Sequence, residues 1–263
     1  MTDKPFAVNV TLAPVARPIN YEEYMAAALE EGVRLIETSA KSPQPYMQML
    51  KQAGAVVMHR ATRTRDIITA EKAGVDAVCI LGTEAAGVHG PEEVGIFVRI
   101  PAAVQAVKVP VIAGGGISDG RGLIAALALG AEGVLMGTRF MASTECDMHP
   151  NFREWILGLN EADTMVVLNS IKVANRVVKN SQTEKIRELE QKGAGLEELL
   201  PLISGRVGAD AYKSGDTDNA MISVGQGVGL IQDIRSVQEI MEGIIKDAGA
   251  AMARLGGLGL QAL

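Results

Sequence analysis

The chain has 263 residues, of which 48% are hydrophobic and 3% aromatic, and its formal net charge at pH 7 is −6. The negative charge argues against a nucleic-acid partner, and so few aromatic side chains exclude a stacking platform for single strands. The sequence contains no run of eighteen apolar residues, no signal-peptide pattern and only two cysteines. We therefore expect no membrane partner and a cytoplasmic location.

The first half of the chain alternates between short apolar runs and amphipathic segments. This alternation predicts a parallel β-sheet with crossover helices. Two architectures fit it, an open doubly wound sheet and a (β/α)8 barrel. The predicted strands are 6–12, 33–38, 55–59, 75–81, 109–113 and 133–136, and the predicted helices are 21–31, 45–53, 64–73, 100–107 and 120–129.

Glycines follow the last two of these strands. Gly114, Gly115 and Gly116 end the fifth strand, and Gly137 with Thr138 ends the sixth. Bare backbone N–H groups can approach phosphate oxygens closely, and the start of the next helix favours an anion. The alternative is that these glycines only permit tight turns. Barrel phosphate sites follow strands seven and eight, so the pattern favours a TIM barrel of which six βα units are visible and two N-terminal units are missing.

The second half of the chain predicts mainly helices and no further buried strand after Phe140. The predicted helices are 152–159, 161–175, 184–192 and 196–203, followed by a polar loop over 204–219. Ser181 with Glu184, and Ser236 with Glu239, have capping-box spacing. We expect an incomplete barrel domain over 1–148, a helical segment or lid over 149–222, and a glycine turn with a C-terminal helix over 223–263.

Several segments together resemble the nitronate monooxygenase family, formerly called 2-nitropropane dioxygenases. They are TDKPFAVNVTLAP, GVDAVCILGTEAAG, AGGGISDGRGLIAALALGAEGVLMGTRFMASTE and the GDTD…SVGQGVGLI segment. The resemblance is strongest to the branch that includes NADH:quinone reductases, and enoyl-ACP reductases are more distant relatives. It implies a flavin-dependent TIM-barrel enzyme that binds FMN without a covalent bond.

The resemblance also implies which residues contact FMN. The glycine turns would hold the phosphate, Asn9 would lie beside the flavin, and Arg60 occupies a position where relatives carry a flavin-contacting lysine. Gly225 and Gln226 fall in the segment near the isoalloxazine ring. The implied cofactor site is therefore Asn9, Arg60, Gly114, Gly115, Gly116, Gly137, Thr138, Gly225 and Gln226.

The loop over 82–95 carries the candidate catalytic base. The family reads Glu-x-x-Gly-His-x-Gly here, whereas this chain has Val88 at the histidine position and His89 one residue later. We expect His89 to replace the family histidine in part. His59 ends the third strand and is either a ligand-facing residue or a core histidine. The three histidines lack ligand spacing, so we expect no metal site.

The predicted function is that of an FMN-dependent oxidoreductase acting on a small molecule. One reaction is the oxidation of alkyl nitronates with O2 to a carbonyl compound and nitrite. The alternative is an NADH:quinone reductase, with NADH as co-substrate and a quinone as acceptor. A third hypothesis, from another class of protein, is a catalytically silent barrel subunit without flavin. A homodimer or a completing N-terminal segment would fill the missing part of the barrel.

Overall fold

The computed structural model describes residues 4–13, 19–88, 90 and 92–259. The first part of the chain forms alternating strands and helices, as the sequence predicts. Its elements are β1 (Ala7–Leu12), α1 (Tyr21–Glu30), β2 (Leu35–Ala40), α2 (Gln44–Gln52), β3 (Val56–Ala61), α3 (Thr64–Lys72), β4 (Ala77–Leu81), β5 (Gly87–Val88), α4 (Ile96–Ala106), β6 (Val111–Gly114), α5 (Gly120–Ala128), β7 (Gly133–Leu135) and α6 (Thr138–Met141).

Six of these strands form one parallel sheet in the order β1-β2-β3-β4-β6-β7. All six correspond to predicted strands, so the α/β fold with a parallel sheet is confirmed. Within the described residues β1 and β7 are the two edges of this sheet. Because all strands run in one direction, their carboxyl ends lie together along one edge, where open α/β sheets and barrels place their ligands.

The sheet has two chemically different faces, because successive side chains of a strand point to opposite sides. Ile36, Val57 and Val78 lie on the outer face and pack on buried helix residues such as Leu50 and Ile67. The inner face carries a smaller apolar cluster of Met58, Cys79, Leu81, Ala85, Ile112 and Leu135. The helices thus cover one face, and the other face borders the region that the site occupies.

The second part of the chain contains more strand than the sequence predicts. Its elements are α7 (Pro150–Leu157), β8 (Thr164–Val167), β9 (Asn175–Val178), α8 (Ser181–Gln191), α9 (Leu196–Ile203), α10 (Gly205–Ser214), a 3-10 helix (Gln226–Leu230) and α11 (Val237–Gly256). β5, β9 and β8 form a separate antiparallel sheet. None of the helices within the described ranges is both long and apolar enough to span a bilayer.

Two predictions for this part are wrong. The predicted helix over 161–175 is instead β8, a turn and the start of β9, because the turn places Leu168 and Lys172 at φ of 67° and 61°, outside the helical region. The predicted loop over 204–219 contains α10, which ends at Gly215 in the left-handed conformation.

The predicted helix caps are confirmed in part. The N-cap of α8 is Asn180 with Thr183, one residue before the predicted pair of Ser181 and Glu184. The capping box of α11, Ser236 with Glu239, is confirmed.

Candidate active site

A cavity of about 120 Å³ lies at the carboxyl ends of β3, β4, β6 and β7. It is smaller than the pockets that usually enclose a whole small-molecule ligand, and it suits one end of a larger ligand. Among the residues predicted to bind FMN, six line it: Arg60, Gly115, Gly116, Gly137, Thr138 and Gly225.

The turn after β6 requires glycine for its own geometry. Gly115 and Gly116 have φ of 108° and 70°, a region that other residues adopt only with strain. A β-carbon on Gly115 would lie 3.0 Å from the backbone nitrogen of Ala85, and one on Gly116 would lie 3.1 Å from Cβ of Glu84. These two glycines therefore let the turn pack closely on the loop after β4. Gly114 does not line the cavity, and a β-carbon there would lie 2.6 Å from Cδ2 of Leu81.

Gly137, in the turn after β7, lies in a different environment. A β-carbon at this position would have no protein atom within 4 Å, so a side chain there would project into open space. Within the described residues no backbone oxygen accepts a hydrogen bond from the N–H of Gly116 or Gly137. Two free donors beside unfilled space fit an anionic group such as the FMN phosphate. We call Gly115, Gly116, Gly137 and Thr138 the glycine cradle.

The start of α5 is not available as a second anion site, contrary to the prediction. The carboxylate of Asp119 is the N-cap of this helix, and its Oδ1 accepts hydrogen bonds from the backbone nitrogens of Arg121 at 2.9 Å and Gly122 at 3.1 Å. Because the protein already supplies the negative group there, the free donors of the cradle come from the turn after β6 and from Gly137, the N-cap of α6.

Hydrogen bonds between distant segments hold the surroundings of the cradle. Thr138 Oγ1 accepts from the backbone nitrogen of Gly225 at 3.1 Å. The backbone nitrogen of Gln226 donates to the carbonyl oxygen of Glu84 at 3.0 Å. The Glu84 carboxylate in turn accepts from the backbone nitrogen of Ile96, at the start of α4. Gln226 itself is not part of the cavity lining, and its backbone only anchors the loop after β4.

Arg176 ties the same loop to the antiparallel sheet. Its Nε donates to the carbonyl oxygen of Thr83 at 2.7 Å, and one terminal nitrogen donates to Thr164 Oγ1 at 3.0 Å. Burial lowers the pKa of this guanidinium, while the charges of Glu84 and Glu93 act in the opposite direction. The loop is therefore a fixed border of the cavity.

Three polar residues are linked on the inner face of β1, β2 and β3. Asn9 Nδ2 donates to Glu37 Oε2 at 2.6 Å, and Arg60 Nε lies 3.6 Å from Glu37 Oε1. The parallel register places Asn9 directly opposite Glu37. Of the three, only Arg60 lines the cavity. We call Asn9, Glu37 and Arg60 the polar wall.

The charges of the polar wall act on a neighbouring thiol. The pKa of Cys79 is raised to about 12, mainly by burial and also by the Glu37 charge, while the Arg60 charge acts to lower it. Cys79 is therefore a neutral, buried thiol. The charges of Glu37 and Arg60 act on this thiol in opposite directions.

His59 does not face the site. It alternates with Val57 and Ala61 on the helix-covered face of β3, is 1% exposed, and its Nδ1 lies 2.9 Å from Thr38 Oγ1. Burial lowers its pKa to about 4, with a smaller opposing effect of Asp66. Of the two readings that the sequence left open, the core histidine is the correct one.

The histidine position of the family motif is occupied by an apolar side chain at the border of the site. Val88 is 54% exposed and pairs with Asn175 in the antiparallel sheet. His89, the predicted catalytic base, lies outside the described residues.

Sequence analysis identified the glycines, Asn9 and Arg60 but not Glu37 or Glu84. Glu37 had a visible signal, since it is a charged residue inside the otherwise apolar and small run LIETSA. A buried carboxylate is costly unless it is paired, so such a residue in a predicted inner strand indicates a partner nearby.

Comparisons with known proteins match nearly the whole chain. The sequence profile of the nitronate monooxygenase family matches residues 1–247. The structure of FabK from Thermotoga maritima is 36% identical, with a TM-score of 0.87, over 98% of this chain and 80% of that chain.

Two further relatives match by sequence. A (3aS,4S,5R,7aS)-5-hydroxy-7a-methyl-1-oxo-octahydro-1H-indene-4-carboxyl-CoA dehydrogenase of Rhodococcus jostii is 28% identical, over 98% of this chain and 82% of that protein. A Staphylococcus aureus protein named "Probable nitronate monooxygenase" is 33% identical, over 70% of this chain and 58% of that protein.

Proposed function

Because this chain belongs to the nitronate monooxygenase family of oxidoreductases, we propose that it is an FMN-dependent enzyme. The proposed reaction is the oxidation of alkyl nitronates with O2 to a carbonyl compound and nitrite. Bound FMN would supply the transfer of electrons from the substrate to oxygen, and the protein would supply binding, orientation and electrostatics.

The observation that carries this proposal is the glycine cradle. It combines the unpaired N–H groups of Gly116 and Gly137 with the open space beside Gly137. A phosphate oxygen would accept from these donors without displacing a protein group. The small cavity would hold the phosphate end, and Arg60 of the polar wall lines the same cavity.

Arg60 is the cation that the structure places on the wall of the cavity. Its guanidinium is planar and carries several donors in a fixed arrangement, whereas a lysine provides a single point charge. In the proposed reaction Arg60 attracts negative charge, either that of an anionic nitronate or that which develops on the flavin. Thr138 and Gly225 keep the neighbouring loop in place through their hydrogen bond.

Val88 favours a second candidate function, that of an NADH:quinone reductase. An exposed apolar side chain replaces the imidazole that the family motif has at this position. Without that base, removal of a proton from a neutral nitroalkane is less efficient. Hydride transfer from NADH and electron transfer to a quinone do not need a base there.

We propose His89 as the base for neutral nitroalkanes. General-base contributions are typically about 10²–10⁴-fold, so His89→Asn should slow the turnover of a neutral nitroalkane by at least roughly tenfold. Turnover of the pre-formed nitronate should change little, because its proton is already lost. Equal slowing of both substrates would contradict the role.

Anaerobic mixing of the FMN-loaded protein with each reductant tests the proposed function. Rapid loss of flavin absorbance with a nitronate, and none with NADH, supports nitronate oxidation. Loss with NADH, followed by recovery on addition of a quinone, supports the reductase. A chain that takes up no FMN, or whose flavin neither compound reduces, would overturn both candidates.

A further inference from the structure

We propose that Glu37 is a positioning residue that sets how much positive charge Arg60 presents to an anion in the cavity. The consequence for redox chemistry rests on the proposed function, since it concerns the midpoint potential of bound flavin. The consequence for simple anions does not depend on flavin.

The contacts of Glu37 fix one carboxylate oxygen and leave the other without a hydrogen bond. Oε2 accepts from Asn9 Nδ2 at 2.6 Å, and Asn9 Oδ1 accepts from Thr11 Oγ1 at 2.9 Å. Oε1 is buried and has no hydrogen-bond partner. Asn9 therefore holds the carboxylate in position, and the free oxygen is directed neither to water nor to a neutral donor.

Arg60 lies close enough to interact electrostatically with this carboxylate without a hydrogen bond to it. The 3.6 Å between Arg60 Nε and Glu37 Oε1 is an ion-pair distance, too long for a good hydrogen bond. Ordinarily a buried arginine–carboxylate pair forms shorter, bidentate bonds. Because none forms here, the donors of Arg60 remain available to a ligand while its charge is offset by Glu37.

The surroundings strengthen the effect. Glu37 is 7% exposed, and the inner face next to it is formed by Met58 and Cys79. Over the described residues, Glu37 and Arg60 form ion pairs only with each other. Because the carboxylate is buried and the Arg60 side chain is 28% exposed, the interaction of these two charges is stronger than in bulk water. The charge of Glu37 therefore acts on the cavity through its interaction with Arg60.

Glu37 is not suited to act as a general base. Its free oxygen is shielded by protein atoms, and Glu37 is not part of the cavity lining. A substrate could reach it only after the wall had moved. The structure thus assigns the carboxylate an electrostatic role and leaves proton transfer to another group.

The first test uses the chain without flavin and inorganic phosphate as the probe. We measure the phosphate dissociation constant at low ionic strength from the rise in melting temperature. Removal of the carboxylate charge in Glu37→Gln should lower this constant by about tenfold. The double variant Glu37→Gln/Arg60→Gln should lose this gain in phosphate affinity. Glu188→Gln, an exposed residue of α8 with the same change in net charge, should behave like the wild type.

The second test is a redox titration of the FMN-loaded protein. Glu37→Gln should shift the midpoint potential to a more positive value, and Arg60→Gln should shift it to a more negative value. The double variant should lie near the wild type, because the pair is then removed as a whole. Glu37→Asp should restore much of the wild-type potential, which a purely structural role does not predict.

The outcomes separate the two proposals. A phosphate constant that is the same in wild type and Glu37→Gln overturns the role of Glu37, whether or not FMN binds. An unchanged midpoint potential in Glu37→Gln overturns it as well and leaves the proposed function intact. If Glu37→Gln lowers the phosphate dissociation constant but the wild-type chain binds no FMN, the role of Glu37 is supported and the proposed function is overturned.

Discussion

The glycine cradle and the polar wall border the same cavity, but different chemical groups form them. The cradle offers backbone N–H groups and empty space, and its geometry is set by turns that tolerate few substitutions. The wall offers side-chain charges held by a single short hydrogen bond between Asn9 and Glu37. Under the proposed function, the backbone donors would recognise the shape and charge of a phosphate, whereas the side-chain charges would adjust how strongly an anion is bound or a flavin is reduced.

The difference also separates two uses of glycine within the cradle. Gly115 is required because of its φ and its contact with Ala85, so its replacement acts first on the fold. Gly137 has space for a side chain, so under the proposed function its replacement would act first on a ligand. A structural glycine and a ligand-contacting glycine can thus be told apart by what a β-carbon would touch.

The largest effect is expected for Gly115→Val. Backbone strain at positive φ and overpacking against Ala85 should together lower the free energy of unfolding by roughly 2–6 kcal/mol. Urea denaturation measures the loss. Gly54→Val is the matched control, because Gly54 has φ of 70° but no atom within 4 Å of its β-carbon position. Equal losses in the two variants would show that the contact with Ala85 costs nothing.

Protonation of His59, on the helix-covered face of β3, should cause an acid-dependent loss of stability. The folded-state pKa of His59 is about 4, below its ordinary value of 6.5. The unfolded chain therefore binds a proton at a pH where the folded protein does not. The contribution of neutral His59 to the free energy of unfolding is fully present above pH 6.5. It should fall by about 3 kcal/mol as the pH decreases toward 4, since one pKa unit is worth about 1.4 kcal/mol.

Denaturant titrations across this pH range measure the effect, with His59→Asn as the comparison. The variant should lose this contribution to the pH dependence and keep its phosphate affinity at pH 7, because the side chain lies on the helix-covered face of β3. An altered phosphate affinity would move His59 to the ligand side of the sheet.

The smallest change in free energy is expected for Gly137→Val, and it should appear in binding alone. Its side chain would enter the space that the phosphate needs, so FMN affinity should fall about 100-fold, or about 2.7 kcal/mol. Fluorescence titration with FMN measures this. Stability without ligand should stay within about 0.5 kcal/mol of the wild type. Gly195→Val, an exposed position with open space, is the control. Unchanged FMN binding would place the phosphate elsewhere.

The sequence predicted the parallel sheet because its strands are short apolar runs bounded by glycine, a local signal. It predicted the glycine turns after β6 and β7 for the same reason, and their binding of a phosphate stays a prediction. It did not predict β8 and β9, because their strand character depends on pairing with each other and with β5, and strand preference follows such contacts more than local composition. The run LIETSA signals a partner for Glu37, but only the register of β1 and β2 identifies that partner as Asn9.

The hydrogen bonds that border the cradle have a consequence for how the chain is made. Arg176 is bonded to Thr83 across 93 positions, and Gly225 to Thr138 across 87. Contacts of such long range form late, because the intervening chain must be ordered first. During synthesis the six-stranded sheet can fold as it emerges, whereas the loop beside the cradle lacks its bonds to Arg176 and Gln226 until those segments are available. Uptake of a ligand would therefore report that nearly the whole chain has folded.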